Sequence, residues 1–355
     1  MEAYYYQQMD RIGQSVYHAM KTGFAELRPS FPVPCLDGRR LSDVFFKLRL
    51  DCPDIFYVTG FSYRLVPGAS NVELLPDYRF GKGKVREHQK ALSARIDKLV
   101  RPAMALTAAE KEQYIHDFIC RNVHYDKLKK PYSHEIIGPL SQGVGVCEGI
   151  AKSVKVLCDA LDVWCIIAIS EAAPDRGIQY RHAWNVLRLD GRYFHLDATF
   201  DASLSRDGPL RHDYFNLDDK HLLRDHEPAM YPIPACTDGE RFYYREKKLS
   251  FTKTEEACKR AQQAIRKGLP FLFHWRGGPL TREVLRELLL GLEQAAQQEL
   301  LGLMEQAAVQ RGKHAAVSLN WPQAVLLVRF PEQAPEQEVI SEEANEAERY
   351  QAPDP

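Results

Sequence analysis

The sequence predicts an α+β protein in which a helix packs on an antiparallel sheet, with α/β regions on either side. Three observations carry that prediction. From Cys147, apolar residues recur at Ile150, Val154, Leu157, Cys158 and Leu161, the spacing of an amphipathic helix. A short apolar strand is expected next, at 165–169. The clearest hairpin in the chain follows, with 183–189 and 192–199 flanking Asp190-Gly191, a dipeptide suited to a two-residue type I′ turn.

In chain order, helices are expected over 11–21 and 41–50, the second capped by Ser42 or Asp43. Strands are expected at 55–58, after the breaker Cys52-Pro-Asp, and at 61–65, where apolar and polar residues alternate. Residues 79–84 read as a Gly/Lys turn whose glycines do not have phosphate-loop spacing. A helix over 90–100 leads to Pro102. Thr107-Ala-Ala-Glu110 has the form of a capping box and opens a helix carrying Tyr114, Ile115, Phe118 and Ile119 on one face. A polar loop at 127–134 and a turn containing Gly143 and Gly145 lead to Cys147. Beyond 234, strands at 242–244, 269–274 and 324–330 alternate with helices at 252–267, where Thr252 and Glu255 suggest a second capping box, and at 281–310. Residues 331–355 are rich in Glu and Pro and poor in large apolar groups, a composition that predicts an acidic disordered tail. The implied organisation is a mixed α/β region at 1–104, a core at 105–233, a small α/β domain at 234–330 and the tail.

Composition narrows the function classes. The 355 residues are 45% hydrophobic and 27% charged, and the formal net charge is −1. Such a chain is globular and has no global basic field for nucleic acid or an anionic membrane. No apolar run approaches the roughly 20 residues of a membrane span. The start, Met1-Glu-Ala-Tyr-Tyr-Tyr, lacks a basic and an apolar signal region, so a cytoplasmic location is expected. The eight cysteines contain no C-x-x-C and are expected as free thiols.

Cys147 is the residue with chemical promise. At the start of a helix, unpaired N–H groups and the positive dipole end stabilise a thiolate, the nucleophilic form; Glu148 in the same turn opposes this. If Leu189 pairs with Arg192, opposed hairpin positions place Trp184 against Asp197 and His182 against Thr199. His182 and Asp197 are then diagonal neighbours on one face, where an orienting carboxylate can hold a base. Ala183, Leu187, Leu189, Phe194 and Leu196 form the other face, with Asn185 among them. His195 is a rival base, sharing the face of Asp197. Cys158 and Cys165 read as packing residues, Tyr4-Tyr5-Tyr6 as half-buried packing and Lys127-Leu-Lys-Lys130 as a solvated loop. His212, His221 and His226 lack paired-ligand spacing, so neither a metal nor another cofactor is expected.

These blocks resemble the transglutaminase-like superfamily, relatives of the papain-type cysteine proteases, and its bacterial members in particular. Gly145-Val-Cys147-Glu-Gly-Ile-Ala-Lys is similar to the nucleophile segment, His182-Ala-Trp-Asn185 to the His strand, and His195-Leu-Asp197-Ala-Thr-Phe-Asp201 to the Asp strand. Val123-His-Tyr-Asp126, Tyr214-Phe-Asn-Leu and Asp225-His226 are similar as well, so the likeness covers roughly 107–230. It implies a papain/transglutaminase-like core and a Cys147, His182, Asp197 triad performing amide acyl transfer through a thioester. Peptidase or amidase activity is expected ahead of cross-linking, on a protein or peptide substrate. The Cys147 backbone N–H is the natural oxyanion donor. The site's further oxyanion or substrate-binding candidates are Gln142 as a second donor, Trp184 as a wall of the site, and Asn185. The alternative is a catalytically silent scaffold for protein–protein binding. Nucleic-acid binding is disfavoured by the charge balance, and oligomeric state is not legible.

Overall fold

The sheet at the centre of the molecule is four-stranded and antiparallel throughout, in the order Cys165–Ile169, Ala183–Leu189, Arg192–Leu196, Phe215–Leu217. The computed structural model describes residues 3–329 apart from 66–67, 69, 177–179, 207 and 305–315. Asp190 and Gly191 both take positive φ (48° and 79°), as a type I′ turn demands, so Leu189 pairs with Arg192 and the register holds back to Asn185 opposite Leu196. The second strand is shorter than expected. It ends at Leu196, and Ala198–Leu204 is a helix that Asp197 caps through backbone N–H groups of Thr199 and Phe200. The expected strand pairings of Trp184 with Asp197 and of His182 with Thr199 therefore do not form.

The helix Cys147–Ala160 lies on this sheet. Its Ile150, Val154, Leu157 and Cys158 share a core with Cys165, Leu187, Leu189, Phe194 and Leu196. The same apolar cluster extends back through Ile115 and Ile119 to Val16 and Phe24, with no break near 104. The Thr107 capping box forms, with Thr107 and Glu110 satisfying each other's backbone N–H, and Ala108–Asn122 follows.

Upstream, helices Arg11–Ala25 and Gly38–Asp51 are capped by Asp10 and Asp37; the expected Ser42 or Asp43 caps lie within the second helix. Residues 53–55 form a 3-10 turn rather than a strand, and Val58–Leu65 is one strand of a three-stranded sheet with Phe31–Pro34 and Asn71–Tyr78. The helix expected at 90–100 begins earlier, at Lys82. Downstream, Tyr243–Glu246 is helical where a strand is expected. The helix Thr254–Arg266 has no side-chain cap, so the Thr252–Glu255 box does not form. A second four-stranded sheet runs Ser250–Phe251, Phe271–Trp275, Val325–Arg329, Ala316–Asn320, and the last of these strands has no counterpart in the sequence reading. Helix Arg282–Met304 packs on Thr254–Arg266. The end of the helix expected at 281–310 and the segment 331–355 lie outside the described residues. Among the described residues no helix is long and apolar enough to cross a membrane.

Candidate active site

Cys147 is the first residue of its helix, with Val146 as N-cap, so its backbone N–H is among those with no intrahelical acceptor. The side chain is half-buried and lines a cleft of about 450 Å³ together with Phe46, Tyr125, His134, Ile169 and Arg181. The residue just before the cap, Gly145, packs against Pro139 and Ile150 so closely that a Cβ could not be added without displacing them.

His182 is the residue just before the strand Ala183–Leu189, held there by a bond from Ser170 N–H to its carbonyl at 2.9 Å. Its Nε2 donates to Asp197 Oδ2 at 2.6 Å, the Cys147 thiol is close enough to favour charge on the ring, and Sγ itself faces the Arg181 carbonyl at 4.0 Å. The structure thus brings Cys147, His182 and Asp197 into one connected set. Burial disfavours charge on the His182 ring, but Asp197 and then Cys147 outweigh it, and its pKa is pushed up to about 10. For Asp197, burial is again opposed, here by His182 and His226, and the carboxyl is held well below its usual range.

Asp197 itself is saturated. Oδ1 accepts from the N–H groups of Thr199 (2.8 Å) and Phe200 (3.1 Å), and Oδ2 accepts a second imidazole, His226 Nε2, at 2.9 Å. His226 in turn donates from Nδ1 to Asp225 at 2.8 Å, and Tyr214 donates its hydroxyl to the same Asp225 carboxylate. With both ring nitrogens donating to carboxylates, His226 is an imidazolium, and its pKa is raised by Asp197 and Asp225 against the cost of burial.

The opposition from Glu148 is cancelled locally. Its oxygens are taken by Lys152 at 2.7 Å, Arg49 at 3.5 Å and His134 at 3.3 Å. Burial notwithstanding, the charges of Lys152 and Arg49 and the hydrogen bond with His134 hold its carboxyl well below its usual range. Lys152 also bonds Glu135 at 2.8 Å and is itself buried, so the acidic residue beside the sulfur belongs to a closed ion network under the helix.

Other candidates fall elsewhere. Asn185 is buried and donates to the carbonyls of Ala151 (3.0 Å) and Ile166 (3.3 Å), tying the Cys147 helix to the sheet rather than lining the cleft. Trp184 is also buried; its ring stacks near His182, with centroids 6.0 Å apart, and its N–H donates to His195 Nδ1 at 3.1 Å. It therefore backs the imidazole and does not wall the cleft. That bond, with His195 Nε2 on Asp219 at 2.8 Å, engages both nitrogens of the rival base. Gln142 is exposed at the end of the turn Gly138–Gln142 and is not among the residues lining the cleft.

Tyr125 and His226 were not assigned to this site from the sequence. Tyr125 lines the cleft; burial, then the nearby charges of Cys147 and Asp197, push its phenol up, so the hydroxyl keeps its proton. The Val123-His-Tyr-Asp126 and Asp225-His226 blocks were the available signals. Among the described residues, three sets of His, Asp and Cys side chains bring potential metal-ligand atoms within 4.8 Å of one another: His182, Asp197 and His226; His116, Asp117 and His212; His195, Asp219 and Cys236. His212 and His226 thus gain partners far away in the chain, which ligand spacing alone could not reveal. The imidazoles in these sets already bond their carboxylates.

Residues 93–198 match the profile of the transglutaminase-like superfamily. The chain carries a transglutaminase-like domain. The matched span holds the helix of Cys147 and both strands of the hairpin. Among curated proteins, cytokinesis protein 3 of Schizosaccharomyces pombe is 30% identical over 107 residues, covering 28% of this chain and 12% of that protein. This chain thus spans a small part of that relative's length. Among solved structures, a TGase crystal structure is 12% identical, covering 40% of this chain and 44% of that one with a TM-score of 0.27. A protein of Cytophaga hutchinsonii described as a candidate cysteine protease is 14% identical, covering 39% and 61%, with a TM-score of 0.26.

Proposed function

We propose that the protein is a thiol-dependent amide acyl hydrolase or transferase in which Cys147 is the nucleophile, His182 the general acid and base, and Asp197 the carboxylate that orients it. The observation that carries this reading is a half-exposed thiol at a helix start, near enough to His182 to favour charge on its ring, with that ring bonded to the buried carboxylate of Asp197 at 2.6 Å. An imidazolium beside the sulfur favours the thiolate, and the first-turn N–H of Cys147, which has no intrahelical acceptor, is the donor proposed for an oxyanion. Sγ adds to an amide carbonyl carbon, and His182 gives its proton to the leaving amine as the C–N bond breaks. The resulting thioester is cleaved by water, from which His182 removes a proton. Tyr125 offers a protonated phenol in the same cleft as a further donor to the carbonyl oxygen.

Hydrolysis is favoured over cross-linking because water has access to the half-exposed sulfur. The test is alkylation of the full chain with iodoacetamide near pH 6, followed by peptide mass mapping. Labelling at Cys147 well ahead of exposed Cys35, abolished as a preference by His182→Ala, supports the reading. Equal rates at the two thiols overturn it and leave a silent scaffold. Incubation with amide-bearing peptides and a primary amine then separates hydrolysis from amine incorporation by product mass.

A further inference from the structure

A second cleft, of about 540 Å³, opens on the other side of Tyr125, the side chain it shares with the Cys147 cleft. Arg121, His124, Lys127 and Arg206 line it, all exposed, together with Thr199, Ser203 and Ser205 and apolar Val123, Ile150 and Leu210; among the described residues that line it none is acidic. Arg121 leans toward Asp117 at 3.6 Å but remains 64% exposed. Such a wall suits an extended chain that is acidic and carries some apolar groups.

The chain itself contains a segment of that chemistry, and it leaves the described structure at this cleft. Gly208 is part of the lining, and the guanidinium of Arg329, at the end of the last strand, lies directly against it. From there, residues 331–355 carry seven Glu and one Asp against a single Arg, with Val339, Ile340 and Tyr350 interspersed. The charge of the whole chain divides sharply. It has 47 basic and 48 acidic residues; without 331–355 these become 46 and 40, so a body of +6 adjoins a segment of −7. Twenty-five residues reach at most about 80 Å when extended, several times the width of a cleft of this volume.

We propose that this basic cleft is a docking groove for an acidic peptide and that its occupant is this chain's own segment 331–355, bound in cis. Because the tether begins at the rim, the segment is held at an effective concentration on the order of millimolar, so modest contacts suffice to keep the groove filled. Docking does not require Cys147 to be a nucleophile, and its test is independent of the proposed function.

The experiment is fluorescence anisotropy with a labelled synthetic peptide of residues 331–355. It is titrated with the wild-type full chain, with a full chain whose seven Glu in that segment are replaced by Gln, and with that second protein carrying Lys127→Glu and Arg206→Glu. The charge-neutralised chain should bind the peptide at least about tenfold more tightly than wild type, because its own segment no longer competes. Affinity should fall at least about tenfold on adding the two groove substitutions, and also on raising salt from about 0.05 to about 0.3 M. Lys127→Gln with Arg206→Gln should give a smaller loss, guarding against an effect of the reversed charges on folding. Equal binding to wild type and the neutralised chain, absent binding to both, or indifference to the groove substitutions would each overturn the proposal. A concentration-dependent wild-type dimer in sedimentation that the groove substitutions abolish would also overturn it, placing the segment in a second copy.

Discussion

His226 and His182 donate to one and the same oxygen, Oδ2 of Asp197, at 2.9 and 2.6 Å. The carboxylate is therefore gripped by a buried imidazolium as well as by the partly exposed imidazole that meets the sulfur. His226 makes no contact with Cys147 that would let it take part in proton transfer; its place is that of a positioning residue.

Replacing His226 with Gln should slow alkylation of Cys147 at neutral pH by about tenfold, the worth of one charge-assisted hydrogen bond. Labelling of Cys35 should be unchanged. A rate profile whose limb for Cys147 moves along the pH axis, measured together with the thermal midpoint, separates loss of positioning from simple destabilisation.

The pH dependence of stability has a defined sign. The folded pKa of His182, about 10, lies above its free value of about 6.5, so the folded state keeps a proton that the unfolded chain releases. Its stabilisation is complete below about pH 6.5 and is lost as pH rises toward 10. Urea midpoints of the wild type should fall across that window, and those of His182→Gln should fall less. Parallel curves for the two proteins would contradict the assigned contact with Asp197.

Lys152 is 1% exposed and bridges Glu135 and Glu148. Lys152→Met leaves Glu135 and Glu148 to share Arg49, with only His134 beside Glu148 in addition, a loss of about 3–5 kcal/mol by urea unfolding. The selectivity of alkylation at Cys147 should fall as well, because Glu148 then presents an unbalanced charge beside the sulfur.

The Thr107 box offers a control remote from the cleft. Thr107→Ala should cost about 1 kcal/mol in the same urea experiment and leave the Cys147 labelling rate unaltered.

Local patterns were legible where local forces decide. The 3.6-residue apolar repeat after Cys147 formed its helix, Asp190-Gly191 formed its turn, and Thr107-x-x-Glu110 formed its box. Several strands have no counterpart in the sequence reading, Phe31–Pro34, Asn71–Tyr78 and Ala316–Asn320 among them. Pro32 and Pro34 depress the strand signal of Phe31–Pro34, yet that strand is an edge, where a missing N–H is tolerated. Pro76 lies in a central strand but beyond the four residues that Phe31–Pro34 pairs, so no ladder bond is lost on that side. Ala316–Asn320 alternates apolar and polar at 317–320 but is mostly exposed; pairing to Val325–Arg329 makes it a strand. Thr252–Glu255 shows the converse: the box pattern is present, but the helix starts at Thr254.

By itself, the sequence determined that a thiol begins an amphipathic helix and that a tight hairpin carries a histidine and a carboxylate close to one another. These follow from periodicity, turn chemistry and register, which act over a few residues. Only the tertiary structure decided that Asp197 leaves the hairpin to cap a helix, that Asn185 ties helix to sheet, and that Glu148 is neutralised from below. It alone brought His226 to Asp197 from 29 residues further along the chain. Those outcomes depend on which buried polar groups find partners, and a buried donor or acceptor takes its partner from any element that packing brings near.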